Sequence, residues 1–201
     1  MTNAAGQPRV AAIVLAAGAA TRMGRLKQLL PYCGRTFVEH SLRQAREAGF
    51  DPVIVVVGAE AETVSAALAG KPVEIACNAA WESGMGSSIA AGMRRLEGRD
   101  AEAVAILLAD QPLVTSVHLI AMARLLAETR VRAVAAEYNG TQGVPALFKR
   151  EMFALLAALP PEAGARHLLR GWRSEIAVFP LPEAAMDVDT PDDFEALNAA
   201  W

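Results

Sequence analysis

Residues 10–34 read VAAIVLAAGAATRMGRLKQLLPYCG, and the change of character at Gly18 decides the fold. Val10 to Ala17 is an unbroken apolar run, the pattern of a strand covered on both faces. Beyond Gly18 the chain turns cationic, with Arg22, Arg25 and Lys27 in one loop that also holds Gly24. A glycine-bearing, cationic loop after a buried strand suits a polyanion, because backbone N–H groups and fixed cations both neutralise its oxygens.

The buried-strand pattern recurs at 52–58 (PVIVVVG), 73–77 (VEIAC), 103–110 (AVAILLAD) and 132–138 (RAVAAEY). Helical patterns lie between these runs. Thr36 and Glu39 have capping-box spacing before one helix and Gly49 stops it. Gly70 and Gly98 end two more, and Thr115 starts a fourth. Thr190 and Pro191 open a last helix with Asp192 and Asp193 in its first turn. This alternation predicts an α/β fold: one domain over 1–201 with a doubly wound, mostly parallel sheet in three α/β/α layers. Such sheets bind ligands outside the carboxyl ends of their strands. Four places qualify: the loop after Ala17, the loop after Cys77, the Asp110 corner, and the Tyr138 to Pro145 loop.

Composition narrows the function. The chain has 201 residues and a formal charge of −3, which argues against a general nucleic-acid or membrane-surface binder. No apolar run approaches the ~18 residues of a membrane span. Residues 1–38 carry five bases and no acid, whereas residues 174–201 carry seven acids and no base. That asymmetry predicts an anion site at one end and a cation site at the other. Cys33 and Cys77 form no disulfide framework or CxxC pair, as in a reducing cytosol. Arg9 and the apolar run after it superficially resemble a signal peptide, but the cationic region is a single arginine beside Pro8. The expectation is a cytoplasmic protein.

Two familiar phosphate loops fail against the letters. Gly18 to Gly24 is one residue too long for a P-loop, and Arg25 stands where its Lys belongs. GxGxxG fails because Ala20 and Met23 occupy its later glycine positions. The stretch instead resembles LAAGxSxRMGxxKxLLPxxG, the signature of the MobA-like nucleotidyltransferases, and among them the molybdenum cofactor cytidylyltransferases. Ala20 replaces the usual Ser, while Arg22, Met23, Gly24, Lys27, Leu29, Leu30 and Pro31 match. The segments NAAWESGMGSSIAAG (78–92), LLADQPLVT (107–115), GTQGVPALFKREMFALLAAL (140–159), AGARHLL (163–169) and DVDTPDDF (187–194) are similar to further motifs of the family. In one place the chain departs from the pattern. Pro161 and Glu162 stand where the family usually has Gly and Asp, which leaves the acceptor side around Gly164 to Arg166 less well marked.

The resemblance implies a Rossmann-like nucleotidyltransferase, with nucleotide binding over about 9–115 and acceptor binding over about 116–201. CMP would pass from CTP to a phosphate acceptor of molybdopterin type, with pyrophosphate leaving. Lys27 and Arg22 would be catalytic. Leu15, Ala16, Ala17, Gly18, Arg22, Met23, Gly24, Lys27, Asn78, Gly86, Ser87, Ser88 and Asp110 would bind nucleotide. Gly143, Pro145, Gly164, Arg166 and His167 would bind acceptor. Asp110 and Asp189 would hold Mg²⁺, with Mn²⁺ as an alternative, and Asp187 competes with Asp189 for that role. The Leu-Ala-Ala-Gly opening resembles the cytidylyl pattern, and a Cβ at Ala17 narrows the space beside the base. An acceptor molybdoenzyme or its maturation factor would be the protein partner. Three alternatives stay open: another small phosphate such as methylerythritol phosphate, GTP as donor, or a nucleotide-binding regulatory module without turnover.

Overall fold

The computed structural model describes residues 8–19, 24–188 and 190–199. Seven strands form one sheet in the order β5-β4-β1-β6-β8-β7-β9. They are β1 (Val10–Ala16), β4 (Val53–Val57), β5 (Glu74–Cys77), β6 (Ala103–Leu108), β7 (Ala133–Tyr138), β8 (Thr141–Lys149) and β9 (Ile176–Pro180). A separate two-stranded ladder joins β2 (Pro31–Tyr32) to β3 (Arg35–Thr36). Only β8 runs against its neighbours; every other pairing in the large sheet is parallel.

Strand alternation splits the core into two layers. Val10, Ala12, Val14 and Ala16 face one side of the sheet with residues of α1 (Phe37–Glu47), α2 (Ala61–Ala67) and α4 (Ser116–Glu128). Ala11, Ile13, Leu15 and Ala17 face the other with residues of α3 (Met85–Leu96), α5 (Phe153–Ala157) and α6 (Ala165–Gly171). The aliphatic strands are therefore covered on both faces, as their unbroken hydrophobicity requires. Close packing is visible at Gly92, where a Cβ would come within 2.6 Å of the Ile13 side chain. A third cluster, Leu30, Tyr32, Phe37, Val188 and Leu197, fastens α7 (Pro191–Ala199) over the small ladder.

The helix starts follow their capping residues. The Thr36 hydroxyl accepts from Glu39 N–H, and the Glu39 carboxylate accepts from Thr36 N–H at 2.7 Å, closing the reciprocal box. Thr190 and Asp193 repeat that arrangement ahead of α7.

Two expectations need correction. Tyr138 to Pro145 is not a loop: Asn139 and Gly140, both at positive φ, make a two-residue turn into β8. Asn-Gly is the sequence best suited to such a hairpin. β9 also escaped the sequence reading, since its short IAVFP run ends in proline. The register between β7 and β8 shifts at Ala135/Ala136, and Gly143 and Val144, near the start of antiparallel β8, lie toward the carboxyl ends of the parallel strands.

Candidate functional site

The sheet order places β1 between β4 and β6, so the chain reverses direction around β1. The crevice at such a switch point lies outside the carboxyl ends of the two strands on either side of it. A cavity of about 330 Å³ opens there, lined by Leu15, Ala17 and Gly18 after β1, Leu108 and Asp110 after β6, and Lys27, with Trp81, Glu82, Gly84, Met85 and Ser88 opposite. A second cavity of about 330 Å³ adjoins it, sharing Met85 and Leu108 and adding Tyr138, Gly143, Val144, Glu162, Gly164, Ala165, Arg166 and Asp187. Of the expected nucleotide residues, Leu15, Ala17, Gly18, Lys27, Ser88 and Asp110 line the first cavity; of the expected acceptor residues, Gly143, Gly164 and Arg166 line the second.

At the first cavity, Lys27 on a short 3-10 turn (Lys27–Leu29) is ion-paired with Asp110. Both side chains are partly buried, at 19% and 13% exposure, so water screens the pair less than on an open surface. Gln28, next to Lys27, is 2% exposed. Its Nε2 donates to the carbonyls of Ala16 at 3.1 Å and Gly18 at 2.5 Å, which fixes the turn at the end of β1. The Ala17 carbonyl accepts from Ala59 N–H at 3.0 Å, tying the same turn to β4.

Trp81 forms the opposite wall and is seated on Gly58. A Cβ at Gly58 would lie 2.5 Å from Trp81 Cβ and 2.8 Å from the Ala17 carbonyl oxygen, a space only glycine leaves free. Ser88 reaches the cavity from the start of α3, and Asn78 Nδ2 donates to Ser88 Oγ at 3.0 Å and Ser87 Oγ at 2.8 Å.

Several expected contact residues line neither cavity. Ala16 faces the core. Asn78, 4% exposed, orders the serines behind the wall. The Ser87 hydroxyl lies against the carbonyls of Ala80 and Gly84. Gly86 is a packing glycine: its Cβ would meet the carbonyl oxygens of Pro160 at 2.1 Å and Ala163 at 2.5 Å. Gly24 is exposed at positive φ on the loop. Pro145 is buried behind Val144, and His167 is exposed on the outward side of α6. Arg22, Met23 and Asp189 lie outside the described residues.

The Pro161–Glu162 departure lies where the turn meets the start of α3 and the second cavity. The Pro161 carbonyl accepts from Ser87 N–H at 3.3 Å, a bond that needs no glycine. Glu162 lines the second cavity, so a carboxylate stands there, one methylene longer than the family's Asp.

Gln111 links the two halves. Buried at 2% exposure, it donates to the carbonyls of Val144 at 3.2 Å and Ala184 at 2.8 Å. The Asp110 carbonyl also accepts from Val188 N–H at 3.2 Å, which brings the acidic carboxy-terminal segment beside the Asp110 corner.

Asp110, ion-paired with Lys27, is a carboxylate at the rim of the first cavity, the type of ligand that a hard cation such as Mg²⁺ or Mn²⁺ takes. Mg²⁺ needs only one or two carboxylates when phosphate oxygens and waters complete its shell. Among the described residues no cluster of three or more His, Cys, Asp and Glu side chains is present. Among the described residues no helix is long and apolar enough to cross a membrane.

The profile of the MobA-like NTP transferase domain matches residues 12–177. Over 94% of this chain and 97% of the relative, the sequence is 34% identical to the nicotine blue oxidoreductase of Paenarthrobacter nicotinovorans. It is 31% identical to purine catabolism protein PucB of Bacillus subtilis, over 96% and 98% of the two chains. Among solved structures, Rv0371c of Mycobacterium tuberculosis is similar at a TM-score of 0.80 and 30% identity, covering 95% of this chain and 98% of that one. That protein has also been solved in complex with manganese.

Proposed function

The chain belongs to the MobA-like NTP transferase family, and from that premise we propose that it moves CMP from CTP to the phosphate of a molybdopterin-type cofactor, releasing pyrophosphate. The observation that carries this reading is the pair of adjoining cavities, one holding Lys27 and Asp110 and the other Arg166, with Met85 and Leu108 lining both. A donor and an acceptor bound side by side gain the advantage of an intramolecular reaction.

The acceptor phosphate attacks the α-phosphorus of the triphosphate, and the bond to the bridging oxygen breaks as pyrophosphate leaves. A phosphate monoester is mostly ionised at neutral pH, so the reaction needs no general base. Lys27 neutralises charge that builds on the α-phosphate and the departing oxygen, and Arg22 assists from the same loop. Before the triphosphate arrives, Asp110 keeps the ammonium of Lys27 directed into the cavity. Asp110 and Asp189 would hold Mg²⁺ or Mn²⁺, which when bound supplies further neutralisation of the triphosphate. Ala17 favours CTP over GTP because its Cβ narrows the space beside the base. The implied protein partner is a molybdoenzyme that receives the product, or a factor that matures it.

The test is pyrophosphate release with each of the four NTPs against molybdopterin cofactor and methylerythritol phosphate, with nicotine blue conversion measured in parallel because one relative is named for it. Release with CTP and molybdopterin cofactor supports the proposal. CTP binding without release from any pair would leave a nucleotide-binding module, and release with another acceptor or nucleotide would reassign the substrate.

A further inference from the structure

Tyr138 ends β7 at 9% exposure, yet its phenol lines the second cavity. The space for its hydroxyl comes from Gly143 on the facing strand. A Cβ at Gly143 would stand 2.6 Å from Tyr138 Oη and 3.3 Å from Arg166 Nη2, so phenol and guanidinium meet over bare backbone. Arg166 Nε donates to the Gln142 carbonyl at 3.1 Å. Arg166, itself exposed, is thus tied to β8 through Nε, has its Nη2 beside the phenol over Gly143, and lines the cavity.

This tether matters because the same cavity holds two carboxylates, Glu162 and Asp187. An arginine free to swing would pair with one of them and present little charge to an incoming anion. Held by a carbonyl and a phenol, both uncharged, it keeps its charge for the ligand and loses less side-chain freedom on binding. Burial and the neighbouring Asp187 push the phenol above its ordinary value, outweighing hydrogen bonds from Gln111 and Arg166, so it stays protonated and able to donate.

We propose that Tyr138 is a positioning residue for the acceptor, holding Arg166 over Gly143 so that the guanidinium receives an anionic oxygen of that molecule. The inference rests on the transfer reading only in treating this cavity as the acceptor side.

The test titrates phenyl phosphate into the full chain with the first cavity filled by a non-hydrolysable CTP analogue. Tyr138→Phe is expected to weaken phenyl phosphate binding about tenfold, and Arg166→Ala at least as much, with affinity for the analogue unchanged in both. Because the two residues act through one contact, Tyr138→Phe should add nothing in an Arg166→Ala background. In turnover with a phosphate acceptor, Tyr138→Phe should raise the acceptor KM and leave kcat near wild type. Wild-type binding by Tyr138→Phe, additive losses in the double variant, or no phenyl phosphate binding by the wild type would each overturn the assignment. Absence of pyrophosphate release from CTP with this binding pattern intact would instead overturn the nucleotide assignment and leave the positioning role supported.

Discussion

Lys27 and Asp110 stand 83 residues apart in the chain and are ion-paired at the mouth of the crevice between β1 and β6. Each comes from a connection at the carboxyl end of its strand, and the parallel pairing of those strands brings the two together. In the proposed transfer the pair would have opposite fates when a triphosphate binds: the cation would go to the phosphates and the carboxylate would be released for a metal.

Lys27→Ala is expected to lower kcat by about 10²–10³, the usual loss for one fixed transition-state donor. CTP affinity should fall less than the rate. Steady-state kinetics with a parallel equilibrium titration separates the two effects, and normal turnover would remove Lys27 from the chemistry.

Gly58→Ala forces a methyl group into the space occupied by Trp81 and the Ala17 carbonyl. Overpacking of this kind costs about 1–3 kcal/mol, to be read from urea unfolding. Since Trp81 and Ala17 both line the first cavity, the proposed CTP site, CTP binding should weaken by more than the stability loss alone would cause.

Gln28→Glu places a buried carboxylate against the carbonyl oxygens of Ala16 and Gly18, where an amide now donates. The expected cost at neutral pH is about 2–4 kcal/mol. Burial and the carbonyls raise the folded-state pKa of the new Glu above its unfolded value. The variant should therefore be most stable relative to wild type below the unfolded pKa, and lose ground as pH rises through the folded one. Urea unfolding of both proteins at pH 4.5 and 7.5 checks the sign.

His40 is 5% exposed, packed edge-to-face against Tyr32 at 5.0 Å, and neither ring nitrogen has a hydrogen-bond partner of good geometry. Burial, and then the charge of Arg43, hold its pKa below the ordinary value. A depressed histidine contributes stability that is present above the unfolded pKa and lost as pH falls toward the folded one. His40→Phe should remove that loss, so that its stability exceeds wild type by more at pH 5 than at pH 7.5. An unchanged slope of stability against pH would rule out His40 as its source.

The five strands of unbroken or Val-rich character were legible because burial on both faces leaves no alternation to misread. Asp110 could be singled out because it stands just beyond such a strand, and Lys27 because the loop after β1 resembles a family signature. Other parts of the site depend on contacts no local pattern encodes. Gln28 reads as one more polar loop residue until Ala16 and Gly18 fold back on it. Gln111 acts on Ala184, 73 residues away. Gly86 sits among motif residues, yet its role is to admit the turn at Pro160. Tyr138 and Gly143 meet only because Asn139–Gly140 makes a hairpin, a signal that in the sequence stands inside a stretch with the composition of a loop. Trp81 stood in a quoted motif, and what gives it a place is Gly58, three elements of sequence pattern earlier.

The most direct measurement is transfer of label from CTP carrying a labelled α-phosphate to molybdopterin cofactor. The label should appear covalently on the cofactor, with unlabelled pyrophosphate released in equal amount, and both should be lost in Lys27→Ala. CTP that binds while its label never leaves the nucleotide would contradict the proposed reaction.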